Sequence, residues 1–141
     1  MEKQVIDDKI KELFISSRVI ALVGASNNKD KDSNIVMKFL QRAGYKVIPV
    51  NPTSINSYIH GEKVYGSLTD IKQNVDIVDV FRPSEEAEEI AKQAIEIGAK
   101  ALWLQLDINN DKARDIVVKN KIYYIANKCT KIEFEKLFRG S

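Results

Sequence analysis

Apolar side chains at positions 5, 6, 10, 13 and 14 recur at helical spacing and predict a first helix over Val5–Phe14. The run VIALV, Val19 to Val23, is continuously apolar, as expected of a strand covered on both faces. A long polar loop follows. Helical spacing then returns at Ile35, Val36, Phe39 and Leu40, with Asp32 or Ser33 placed to cap the start and Gly44 to end it. KVIPV, Lys46 to Val50, reads as a second strand, and the donor missing at Pro49 fits an edge, a bulge or a strand terminus.

The next stretch, NPTSINSYIHGEKVYGS, is mostly loop, with a short strand expected around Val64 and a short helix over Ser67–Lys72. DIVDVF, Asp76 to Phe81, is a third clear strand. Ser84–Ile97 is a helix whose acidic first turn suits the positive end of its dipole, and Gly98 is its stop. A strand over Lys100–Leu106, a helix over Asn109–Asn120, a strand over Ile122–Ala126 and a short helix over Lys131–Phe138 complete the series. Alternating strands and helices with short connections give an α/β fold, a single doubly wound, mainly parallel sheet with helices on both faces. No linker, repeat or low-complexity segment interrupts it, so one domain is expected over 1–141, with its core over about 19–138.

Composition narrows the classes of partner. The chain has 141 residues, 44% hydrophobic and 30% charged, which is ordinary for a soluble domain able to bury its own core. Its formal net charge of +2 comes from 22 basic and 20 acidic side chains with no basic block, so neither a nucleic acid nor a membrane surface is an expected partner. A single cysteine, Cys129, makes no intramolecular disulfide. The start, MEKQVIDDKI, lacks a signal-peptide pattern, and no apolar run has membrane-spanning length; a cytoplasmic location is the default expectation.

Open sheets of this kind bind ligands beyond the carboxyl ends of their strands, at the point where strand order reverses. That rule selects the loops after Val23, Val50, Phe81, Leu106 and Ala126. In the first, GASNNKDKDSN, Gly24 permits a tight turn, while Ser26, Asn27, Ser33 and Asn34 offer polar groups beside a helix N-terminus. Together they suit a pyrophosphate. The plainer reading has Ser33 capping a helix and Gly24 turning a corner. The second loop offers Asn51 and Pro52 where an unphosphorylated nicotinamide cofactor meets an acid, and the missing carboxylate disfavours that ribose diol. In the third, Arg82 either forks onto a phosphate or makes a structural ion pair, and Pro83 holds the turn. Gln105 follows Trp103 in the in–out alternation and either faces a ligand or satisfies buried backbone groups.

Catalytic machinery is scarce. His60, the one histidine, reads as a solvated loop residue, and one Cys with one His make no zinc cluster. Asp76 and Asp79 fall on opposite faces of a strand, which argues against shared acid–base work. Cys129 is the one candidate nucleophile: Lys128 beside it would lower its pKa, whereas a buried structural thiol is the alternative.

The segments VGAS, SN, VIPVNP, VDIVDVFRPSE, IGAKALWLQL and NKCTKIE, in this order, resemble the small stand-alone CoA-binding proteins. These share the Rossmann-like domain at the N-terminus of the succinyl-CoA synthetase α subunit. The resemblance runs from Val19 to about Phe138. It implies that Gly24, Ala25, Ser26, Asn27, Ser33 and Asn34 hold the phosphates of coenzyme A or an acyl-CoA. It further implies that Asn51 and Pro52 border the adenosine, that Phe81, Arg82 and Pro83 line the middle, and that Gln105 lies on the far side. Where the family carries proline and arginine in the first loop, this chain has NNKDKDSN, so Lys29 or Lys31 supplies the positive charge. Where the family has Leu-Gly after the glutamine, this chain has Leu106 and Asp107.

The large synthetases need a further domain with a phosphorylated histidine and an ATP-binding subunit, so the resemblance implies binding rather than a reaction. If there is chemistry, it is a mixed disulfide between Cys129 and the CoA thiol. Two rivals stand beside this reading: an NAD(P)-dependent oxidoreductase drawing on Tyr123 and Tyr124, and a ligand-sensing partner module for an acyl-transfer enzyme. Pairing through outer helices leaves a homodimer open.

Overall fold

The computed structural model describes residues 2–138. Helix α1, Glu2–Ser16, leads into strand β1, Val19–Val23, then helix α2, Asp32–Arg42, and strand β2, Lys46–Val50. A small hairpin of β3, Tyr58–Ile59, and β4, Glu62–Lys63, follows, with one 3-10 turn at Leu68–Asp70. Strand β5, Ile77–Val80, passes through a 3-10 turn at Ser84–Glu86 into α3, Ala87–Glu96. Then come β6, Ala101–Leu104, α4, Asp111–Lys119, β7, Tyr123–Ile125, and α5, Thr130–Phe138.

The five long strands form one parallel sheet in the order β2-β1-β5-β6-β7. The chain runs outward from β1 to β2, then returns to the other side of β1 at β5. Strand order therefore reverses between β1 and β5, which makes this the switch point. Pro49 sits on the edge strand β2 and turns outward, where its O accepts from Tyr65 N at 3.0 Å, so its missing N–H breaks no bond to β1.

Side-chain alternation divides the core into two layers. Ile20 and Leu22 of β1, Ile77 of β5 and Trp103 of β6 face α1, α2 and α5. Ala21 and Val23, Val78 and Val80, and Leu102 and Leu104 face α3 and α4. Small residues on α3, Ala87, Ala91 and Ala94, let that helix lie close to the sheet. On the other face, Phe14 is 5.4 Å from Trp103 and 5.3 Å from the edge of Phe134, centroid to centroid, so α1 and α5 are locked together over β6. Burying a ring such as Phe14 is worth roughly 1.5–3 kcal/mol.

Asp76 ties the amino edge of the sheet. Its Oδ2 accepts the N–H groups of Arg18 at 2.8 Å and Val19 at 3.0 Å, and Lys100 Nζ lies 3.5 Å from Oδ1. Burial pushes its carboxyl up, but these hydrogen bonds and Lys100 outweigh that effect and hold it below the usual value.

Two local expectations are corrected. Helix α2 begins at Asp32 with Lys31 at the N-cap, φ −79° and ψ 140°, and no side chain caps it. The extended residue that a cap requires falls before both Asp32 and Ser33, so neither can serve. The helix expected to start at Ser84 opens as a 3-10 turn, and its α-helical part begins at Ala87. The short strand expected around Val64 is β4, followed by a lone parallel bridge from Tyr65 to Val50; the hairpin that brings it in is turned by His60 at φ +47° and Gly61 at φ +82°. Both positive angles are what a two-residue hairpin turn needs. Among the described residues, no helix is long and apolar enough to cross a membrane.

Candidate functional site

Three strand ends meet at Gly24. Its N–H donates to Val50 O at 2.9 Å, joining the first loop to the end of β2, and its φ is +90°. A Cβ at this position would lie 2.6 Å from Phe81 O and 2.9 Å from Arg82 Cδ. Glycine is required here by the backbone of the loop after β5, which crosses directly against it, as well as by the turn. The result is a crest between β1 and β5 at the switch point.

The polar side chains of the neighbouring loops hold this crest in place. Asn51 Nδ2 donates to Ala25 O at 2.8 Å, while its Oδ1 accepts from Thr53 N at 2.9 Å and Thr53 Oγ1 at 2.7 Å. Asn34 Nδ2 donates to Ser26 O at 2.8 Å. That orientation leaves Asn34 Oδ1 to accept from His60 Nε2 at 2.9 Å. His60 is thus half-buried and anchored to α2, a correction to its reading as a solvated loop residue; the hairpin carries it across to the first loop. Ser26 Oγ accepts from Asn28 N at 3.1 Å, and Asn27 is exposed. Ala25 and Ser33 are buried.

A cleft opens on each side of the crest. The first, about 500 Å³, lies between the ends of β1 and β2 and helix α3, with Gly24, Asn51, Pro52 and Arg82 on its wall. Helix α3 and the turn before it contribute Glu85, Glu86, Glu89 and Gln93. Arg82 makes a two-pronged ion pair with Glu86, Nε to Oε1 at 3.0 Å and Nη2 to Oε2 at 2.6 Å, and both side chains remain about half exposed. The structural ion pair is therefore present, within reach of the cleft. The second cleft, about 360 Å³, lies on the other face between α2 and α5. Phe81, Gln105 and Cys129 line it, and its rim is formed by the exposed side chains of Ile35, Leu106 and Ile132.

Beneath the second cleft sits a buried polar cluster. Asp79, fully buried on β5, accepts hydrogen bonds from Gln105 Nε2 and from Thr130 Oγ1, the latter at 2.9 Å. Gln105 Nε2 also donates to Thr130 Oγ1 at 3.1 Å. Burial pushes the Asp79 carboxyl up to about 7, with the two hydrogen bonds opposing the rise. Cys129 is half-buried and its thiol is also pushed up by burial; the N–H groups of Ile132 and Lys131 act against this and the Asp79 charge adds to it. The expected activation by Lys128 is corrected: burial dominates, and Cys129 is held as a thiol rather than a thiolate.

The residues enclosing the crest and both clefts, from Val23 to Ile132, fall inside a longer match: residues 18–135 fit the family profile of the CoA binding domain. The chain belongs to the CoA binding domain family. It is 37% identical over 124 residues to the uncharacterized protein YneT of Bacillus subtilis, spanning 88% of this chain and 90% of that one. A hypothetical protein from Pyrococcus horikoshii superposes with a TM-score of 0.88 at 38% identity, over 93% of this chain and 91% of its own. The acetate–CoA ligase (ADP-forming) of Methanocaldococcus jannaschii is 25% identical over 109 residues, which cover 77% of this chain but 15% of that enzyme.

Within this CoA-binding domain the residues singled out from sequence divide into three groups. Gly24, Asn51, Pro52 and Arg82 reach the first cleft, and Phe81, Gln105 and Cys129 the second. Ala25, Ser26, Asn27, Ser33, Asn34 and Pro83 line neither; they build or flank the crest. Sequence reasoning missed the α3 wall, although Arg82, Glu86, Glu89 and Gln93 recur at the spacing of one helix face. It also missed the bond between Asp79 and Thr130, which are 51 positions apart. At Asp107, where the resemblance implies a glycine, φ is +68°, and Asp107 N donates to Asn127 Oδ1 at 2.8 Å. The left-handed backbone is thus kept without the glycine.

Proposed function

We propose that this protein binds coenzyme A or an acyl-CoA as one extended ligand laid over the crest, with its nucleotide on one side and its thiol-bearing arm on the other. The observation that carries this reading is the pair of clefts flanking Gly24 at the switch point, inside the span of the family match. A long ligand with a bulky head and a thin tail suits one larger and one narrower cleft on a common edge.

The residues fit such a ligand in character. Asn51 and Pro52 would border the base and ribose, and the carboxylates of Glu85, Glu86 and Glu89 suit hydroxyl and exocyclic amine donors better than a phosphate. The phosphates would lie over Gly24, Ala25, Ser26 and Asn27, beside Ser33 and Asn34 at the start of α2. There Lys29 and Lys31, both exposed, can turn their charges inward. Phe81, Pro83 and Gln105 would hold the arm. Bound CoA supplies a thiol that carries acyl groups as thioesters. In this reading CoA is a passenger or signal in a cytoplasmic single-domain protein.

The geometry does not favour the oxidoreductase alternative. Tyr123 opens β7 at the amino edge, away from both clefts, beside Lys9 and Ser16 of α1. Tyr124 OH donates to Asn109 Oδ1 at 2.7 Å and accepts from Asn110 N at 3.2 Å, so it is occupied in holding the start of α4. Calorimetric titration of the purified protein with CoA, acetyl-CoA, NAD and NADPH tests the reading. Saturable binding of CoA with none of NAD supports it, and binding of a nicotinamide cofactor alone refutes it.

A further inference from the structure

We propose that Asp79 is a positioning residue that fixes the Gln105 side-chain amide, so that the second cleft presents one immobile hydrogen-bond acceptor, Gln105 Oε1, to the arm of the ligand. The proposal rests on the CoA reading above and deepens it by assigning the recognition chemistry of one cleft.

The hydrogen bonds of the cluster leave little freedom. Above about pH 7, where the Asp79 carboxyl has lost its proton, it only accepts, so Oδ1 takes an N–H from Gln105, which fixes which end of the amide faces the sheet. Thr130 gives its own hydroxyl proton to Asp79 Oδ2 at 2.9 Å, so its oxygen is left to accept the second N–H of Gln105 at 3.1 Å. Both amide hydrogens are then spent inside the protein. Among the described residues no donor reaches Gln105 Oε1, and this oxygen is not sealed in the core, while Gln105 lines the cleft. Only the carbonyl oxygen remains for a ligand.

The surroundings make that acceptor matter. Apart from Asp32 and Lys131, the lining is mostly apolar, with Phe81, Ile108, Ile35, Leu106 and Ile132, against which an unmet N–H or C=O of a ligand is costly. A thin chain that brings an N–H donor, such as the amide-linked thiol arm of CoA, satisfies Gln105 Oε1 while its methylenes lie against the isoleucines. An arm lacking a donor leaves the oxygen unpartnered. Asp79 itself touches no ligand in this scheme. It lies beneath Gln105 and acts only through it.

The test compares CoA with adenosine 3′,5′-bisphosphate, which has no arm, in calorimetric titrations of the wild type, D79N, Q105L and the double variant at a pH above about 8, where the Asp79 carboxyl is ionised. The side-chain amide that D79N introduces can donate as well as accept, so Gln105 is free to turn over. The expected result is about tenfold weaker CoA binding in D79N, the size of one hydrogen bond, with bisphosphate affinity unchanged. Q105L should lose a similar factor for CoA, and D79N/Q105L no more than Q105L alone, because Asp79 acts through Gln105. In the free protein, nitrogen-15 NMR should show the Gln105 side-chain amide protons protected from water exchange in the wild type and not in D79N. T130V, which removes one of the two acceptors, keeps the test open if D79N folds poorly, and a several-fold selective loss of CoA affinity is expected. An unchanged ratio of CoA to bisphosphate affinity in D79N, or additive losses in the double variant, overturns the proposal alone. Failure of the wild type to bind either ligand overturns the CoA reading, and the proposal with it.

Discussion

Replacing Gly24 by alanine tests whether the crest is a real constraint. Two costs add at this position. A non-glycine residue at φ +90° loses about 1–2 kcal/mol of backbone preference. The new methyl would also stand 2.6 Å from Phe81 O, a backbone atom that cannot swing aside, and overpacking of this kind costs about 1–3 kcal/mol more. Gly98 separates the two. Its φ is +72°, but nothing lies within 4 Å of an added Cβ, so G98A carries the backbone cost alone. Urea unfolding followed by circular dichroism should place G24A about 2–5 kcal/mol below the wild type and G98A about 1–2 kcal/mol below it. At about 4 °C per kcal/mol for a chain of this size, the melting temperature of G24A falls by roughly 8–20 °C. Because the methyl parts the loops after β1 and β5, CoA affinity in G24A should fall at least about tenfold while G98A binds as the wild type does. Equal losses of stability in the two variants would refute the close approach of Phe81, and the crest would then be no more than a turn.

Arg82 distinguishes a ligand contact from a surface ion pair. Its pairing with Glu86 is half exposed, so R82A should change stability by less than about 0.5 kcal/mol, while a lost contact to CoA weakens binding by about 5–30-fold in titration. Asp79 predicts a pH dependence: with its carboxyl raised to about 7 by burial, the folded state holds a proton that the unfolded chain releases near 4. Stability contributed by that proton is full below the unfolded pKa, falls as pH rises from about 4 to 7, and is gone above it, by up to about 4 kcal/mol. In D79N this slope should vanish from denaturation curves recorded across the same range.

The strands and their two-faced burial were legible because the runs VIALV, IVDV and ALWL alternate core layers, interrupted only at Asp79, and parallel sheets advertise themselves in this way. The strand-end loops followed from element order, whereas the reversal between β1 and β5 is seen only in the sheet order. Side-chain roles were less legible, because polar residues in loops are used by partners that only the fold supplies. The Asn34 side chain is held by Ser26 and His60, and the link to His60 depends on a hairpin 26 positions away. Gly24 was found as a turn, whereas the contact that demands glycine comes from Phe81 and Arg82, invisible until β5 is laid beside β1. Cys129 shows the limit of neighbour reasoning. Lys128 adjoins it in sequence, yet burial sets its behaviour, opposed by the N–H groups of Ile132 and Lys131.

Asp79 is the residue in which stability and function part company. A carboxylate at zero exposure in the second layer of the sheet, given two hydrogen bonds and no cation among the described residues, is more costly than an apolar residue in its place. Its neighbours along the same face, Ile77 on its own strand and Trp103 on β6, pack without any such cost. Thr130 caps no helix end with the hydroxyl it gives to Asp79, and Gln105 spends both of its N–H groups there. Three side chains from β5, the end of β6 and the start of α5 are thus committed to one small network directly beneath a cleft. Local rules broken at a buried position are expected where a site needs an orientation that packing alone cannot give. A Leu–Leu–Val core would hold these elements together more firmly, but its cleft would have no fixed acceptor, and an amide-bearing arm could slide along it without register.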